Sequence, residues 1–114
     1  MKSIPEPWKS FFSAIDKTLG EEIRLEILGG FVVTILYNAP RTTADVDIVS
    51  VIPNTQTRNL IEVAGIGSPL HKKHGVYLDR VGIATLPENY ADRLTEIFAG
   101  EFQKLRLLGQ THHF

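Results

Sequence analysis

At 114 residues the chain has room for one compact domain and not for two. Hydrophobic residues at 43% and charged residues at 22% are ordinary globular proportions, which excludes disorder, a collagen-like repeat and a coiled coil. Twelve Lys+Arg against 13 Asp+Glu leave a formal charge of -1, so there is no global basic field to gather nucleic acid. Cysteine is absent, which removes disulfides, thiolate metal sites and a cysteine nucleophile.

The longest apolar run, residues 27–39 interrupted by Thr34 and Asn38, is far below the ~18 residues needed to cross a bilayer. The opening MKSIPEPWKS has two prolines and no apolar stretch of the kind a secretory signal requires. Both features predict a soluble cytoplasmic protein with no membrane contact.

Trp8, Phe11, Phe12, Ile15 and Leu19 recur at helical spacing, with Lys9, Ser10, Ser13, Asp16 and Lys17 on the other side. This predicts a first amphipathic helix, preceded by Pro5 and Pro7 and closed by Gly20 as a left-handed cap. Ile23, Leu25 and Ile27 alternate with Arg24 and Glu26, a half-buried strand over 23–28 that stops at Gly29-Gly30. Residues 31–37 read as a buried helix ending at Asn38-Ala39-Pro40. A second strand is expected over 45–52, then a helix over 55–64, breaks at Gly65, Gly67 and Pro69, and a short helical turn over 71–74. A third strand is expected over 76–86. Pro87-Glu88 opens a short helix running through Leu94 or Phe98, and a fourth strand covers 102–108. This alternation predicts an α/β (α+β) domain with a mixed sheet of about four strands and helices on its faces.

Arg41, Thr43, Asp45 and Asp47 share one parity, so on an extended chain a cation, a hydroxyl and two carboxylates point to the same side. Val46 and Ile48 point the other way. Two aspartates opening a central strand are unfavourable unless solvated, paired or bound to a cation. Mg²⁺ takes oxygen ligands, commonly one or two carboxylates plus substrate phosphates. A third carboxylate from another strand would complete a two-ion site, and Asp79, inside an apolar run, is the candidate. Gly29-Gly30, at a strand-to-helix turn, lets backbone N–H groups approach a phosphate closely.

The stretch LGGFVVTILYNAPRTTADVDIV, residues 28–49, resembles the nucleotidyltransferase superfamily of the DNA polymerase β type, whose signature is a Gly-Gly or Gly-Ser turn followed by Asp-hydrophobic-Asp on a strand. Within it the chain is most similar to the small bacterial DUF6036-type and AbiEii-toxin-like branch, where R-x-[ST]-x-D-h-D matches Arg41 to Asp47 position by position. SPLHKKHGVYLDRVGIATLPENYADRL, residues 68–94, extends the resemblance over most of the chain. The resemblance implies that Gly29 and Gly30 hold the nucleotide phosphates, that Arg41 and Thr43 touch the triphosphate, that Asp45 and Asp47 bind Mg²⁺ and that Asp79 is the third carboxylate. It implies transfer of a nucleotidyl group from an NTP to an acceptor hydroxyl on RNA, protein or a small molecule, in a toxin-antitoxin context. Two departures stand out. Gly30 replaces a serine common in the family, and the sequence ends at Gln110-Thr111-His112-His113-Phe114, where relatives continue into C-terminal helices. The expectation is a single nucleotidyltransferase-like domain over 1–114 without that helical part.

The same residues have plainer readings. Asp45 and Asp47 suit a solvated strand start, Asp79 an edge strand, Gly29-Gly30 a tight turn and Arg41 a loop cation. His71-Lys72-Lys73-His74 lacks two further ligands nearby and reads as a solvated turn, its lysines available to a nucleic-acid backbone. Trp8, Phe11 and Phe12 read as core. The competing function is an inactive nucleotide-binding or protein-interaction module of the same fold, and an unfinished sheet leaves homodimerisation or a partner chain open.

Overall fold

The structure is a computed structural model that describes residues 4, 6–27, 45–80 and 94–110. In chain order the elements are α1 (Trp8–Thr18), β1 (Ile23–Ile27), β2 (Asp45–Ile52), a 3-10 turn (Asn54–Gln56), α2 (Thr57–Ala64), α3 (Pro69–His74), β3 (Tyr77–Arg80), β4 (Leu94–Ile97) and β5 (Leu105–Gln110). The strands form one mixed sheet in the order β3-β2-β1-β5-β4. β2 runs parallel to β3 and β1 parallel to β5, while β1–β2 and β4–β5 are antiparallel. The fold is therefore the expected α+β class, with five described strands instead of about four.

The helical periodicity of α1 is realised in its burial: Trp8, Phe11, Phe12 and Ile15 face the core. Trp8 and Phe12 stack at 5.9 Å, and Phe12 meets Phe102 edge-on at 6.2 Å, tying the helix to the chain entering β5. No side chain at the N-cap position serves the first turn. Instead the Glu6 carboxylate accepts the Ser10 backbone N–H at 3.0 Å and the Ser10 hydroxyl at 2.9 Å. Gly20 does not close the helix. The cap is Leu19 in an extended conformation (φ -80°, ψ 134°), because its N–H already turns back to the Asp16 carbonyl.

Buried residues from all five strands join the α1 side chains and Leu60 and Ala64 of α2 in one core. The described helices thus lie on one side of the sheet. On β1 and β2 the inward residues alternate until a bulge, where Glu26 faces Ser50 but Ile27 faces Ile48. The extra residue, Val49, shifts the phase of β2 by one. Val46 and Ile48 point inward on one side of it and Val51 on the other, so Asp45 and Asp47 remain on the face away from the helices.

Between β2 and β3 the expected breaks become caps. Ser68 accepts the His71 N–H at 3.2 Å, Pro69 occupies the first helical position, and Gly75 ends α3 at φ 78°. Gly65 is required for another reason: a Cβ there would stand 2.6 Å from the Ile61 carbonyl oxygen. The helix expected over 71–74 begins earlier, at Pro69, and the one expected from Thr55 opens as a 3-10 turn.

Two expectations near the C-terminal end change. Leu94–Ile97 is a strand and not the end of a helix, since Leu94 pairs with Gln110 and Ile97 with Leu107. The last strand starts at Leu105 and not at Phe102, because the Asp16 carboxylate takes the N–H groups of Gln103, Lys104 and Leu105 at 3.1, 2.7 and 3.0 Å. The third strand starts at Tyr77 and not at Val76 and is described to Arg80; residues 81–86 of its expected span, like the expected helix over 31–37, lie outside the described residues. Among the described residues no helix is long and apolar enough to cross a membrane.

Candidate metal centre

The alternation of β2 sends Val46 and Ile48 into the core and Asp45 and Asp47 to the opposite face. β3 repeats the pattern with Leu78 buried between Tyr77 and Asp79. The parallel register sets Val46 beside Leu78 and Asp47 beside Asp79, with Asp45 beside Tyr77. Two hydrophobic residues matched in the core thus force two carboxylates into adjacency outside it.

Asp45, Asp47 and Asp79 each offer a carboxylate oxygen, and these oxygens lie within 4.8 Å of one another. Two oxygens on opposite sides of one cation are separated by twice the bond length, about 4.2 Å for Mg²⁺ and about 4.6–5.2 Å for Ca²⁺. Side-chain rotation would be needed to bring all three atoms onto one hard cation, and their mutual approach puts them within reach of it. The donor set, all oxygen with no nitrogen or sulfur, suits Mg²⁺ or Ca²⁺ over softer transition metals.

The electrostatics point the same way. The Asp47 carboxyl is held above the usual carboxylate range by burial first, then by the charges of Asp45 and Asp79, and by a hydrogen bond with the Asp45 side chain. A cation between the three carboxylates would relieve the mutual repulsion that raises Asp47.

Tyr77 was not among the residues picked out from sequence. Its phenol is shifted above its ordinary range by burial, then by the charges of Asp45, Asp79 and Asp47. Its ring lies 4.6 Å from that of His71, whose Nδ1 accepts the Gly67 N–H at 2.8 Å. That bond places the ring proton of neutral His71 on Nε2. The signal for Tyr77 was its shared parity with Asp79; its neighbour Asp45 comes from a separate stretch of chain.

Three of the seven residues expected at the site, Asp45, Asp47 and Asp79, are brought together. Gly29, Gly30, Arg41 and Thr43 lie outside the described residues. No family model, curated protein or solved structure matches the chain.

Proposed function

We propose that the chain is a Mg²⁺-dependent nucleotidyltransferase of the DNA polymerase β type, in the DUF6036-type and AbiEii-toxin-like branch. The reading includes a cytoplasmic location and a toxin-antitoxin context. The observation that carries it is the convergence of Asp45, Asp47 and Asp79 from two adjacent parallel strands. A bound divalent cation would neutralise charge on the triphosphate and acidify the attacking hydroxyl.

Asp45 and Asp47, on one rigid strand, would hold the cation; that strand is anchored by Val46 and Ile48, both fully buried. Asp79 would act as third ligand or receive the acceptor proton. The acceptor hydroxyl oxygen forms a bond to the α-phosphorus, the bond to the bridging oxygen of pyrophosphate breaks, and the hydroxyl proton passes to a carboxylate. Gly29, Gly30, Arg41 and Thr43 are proposed to hold the triphosphate. Catalysis is then positioning and charge neutralisation, without a covalent enzyme intermediate.

Calorimetric titration of Mg²⁺-NTP into the wild type and into Asp45→Asn/Asp47→Asn tests the site. At least about tenfold weaker binding by the variant is expected for removal of ligands, and equal affinities would remove the metal centre. Incubation with labelled NTPs and total cellular RNA tests the transfer: labelled product is expected. Binding without label would instead identify an inactive nucleotide-binding module.

A further inference from the structure

A groove of about 620 Å³ runs between α1 and α3, with Lys9, Lys17 and Lys73 on its walls. It lies on the helical side, whereas Asp45, Asp47 and Asp79 lie across the sheet. Lys9, Ser13 and Lys17 follow i, i+4, i+8 spacing, a stripe whose ends stand about 12 Å apart along the helix axis. Glu6 also lines the groove, but its carboxylate is engaged by Ser10, and three lysines outweigh it. His74 stands on the same wall, and its Nε2 is buried with no hydrogen-bond partner among the described residues. In a chain of net charge -1, this is a local concentration of cations.

The arrangement of the charges indicates the ligand. A single phosphate is held by donors that converge, whereas here the ammonium groups are strung along a cleft. Lysine meets phosphate as a point charge, while planar recognition of carboxylates is the province of arginine, and no arginine is among the groove's lining residues. The three lysines follow one line of a groove of only about 620 Å³, which matches a single phosphate backbone and not the two backbones of a duplex. We propose that the α1–α3 groove binds single-stranded nucleic acid through its phosphate backbone. This inference does not rest on the transfer reaction, because groove and carboxylates occupy opposite sides of the sheet.

The test is fluorescence anisotropy with a labelled single-stranded RNA of about ten nucleotides, the size range of single-strand sites, titrated at several salt concentrations. Wild type is expected to bind with a salt-dependent affinity, and each Lys→Gln change at 9, 17 or 73 should lower the salt slope by about one. The triple Lys9→Gln/Lys17→Gln/Lys73→Gln variant should bind at least about tenfold more weakly. These lysines are exposed, so the variants should keep the wild-type circular dichroism spectrum. Arg58→Gln, an exposed charge on α2, should leave binding unchanged. Wild-type affinity in the triple variant, an equal loss in Arg58→Gln, or equal competition by polyglutamate would overturn the proposal.

Discussion

Asp47 stands between two other carboxylates on a strand whose alternate residues are fully buried, and its raised pKa carries a definite sign for stability. Because the folded state holds this proton more tightly than the unfolded chain does, the contribution is fully present below the unfolded pKa. It is lost as pH rises through the folded value. Asp47→Asn is therefore expected to raise the melting temperature of the metal-free protein near neutral pH and to abolish any stabilisation by Mg²⁺. Thermal denaturation with and without Mg²⁺ checks both, and a variant that melts lower while keeping the Mg²⁺ effect would contradict the site. Asp16 has the opposite sign. Burial raises its pKa, but the N–H groups of Lys104, Gln103 and Leu105 and the charge of Lys104 outweigh that and lower it. Its contribution is present above the unfolded pKa and lost as pH falls through the folded value. Asp16→Ala should destabilise the protein by about 1–2 kcal/mol after discounting for solvent, and urea denaturation at pH 7 and at pH 3 should show the difference between variant and wild type shrinking in acid. From the sequence Asp16 was simply one residue of a polar helix face, since its three partners are 87 to 89 positions away.

Among the elements, β2 was the most legible. An Asp-Val-Asp-Ile alternation closed by a Pro-Asn break specifies a strand with one face buried whatever lies beside it, and it spans Asp45–Ile52 as expected. The strand Leu94–Ile97 was not legible, because two β-branched residues in four positions carry too little periodicity to outweigh a helix reading. Pairing with β5 decides it. The element that positions the candidate site is β3, only four residues long and held through one buried side chain, Leu78. Leu78→Ala is expected to cost about 2–4 kcal/mol and to weaken Mg²⁺ binding at temperatures where the protein is still folded, since Leu78 keeps Asp79 in register with Asp47. Unchanged metal affinity alongside the full stability loss would show that β3 is not what holds the third carboxylate.

For the whole molecule, one core cluster draws on α1, α2 and all five strands, with Leu70 of α3 packed against it. A single cooperative unfolding transition is the consequence. Near-ultraviolet signals from the sole tryptophan, Trp8, 4% exposed, should lose amplitude at the same denaturant midpoint as the far-ultraviolet helix and sheet signal; separated midpoints would contradict one core. The sequence by itself determined the class of fold, the first helix, the second strand and the three aspartates worth watching, because hydrophobic periodicity is a local property that each segment writes for itself. Tertiary structure alone decided that Asp79 lies beside Asp47, that Tyr77 borders them, and that three lysines gather in one groove. Those facts depend on strand register and helix packing, which arise from contacts between residues far apart in the chain and leave no periodic trace within either partner.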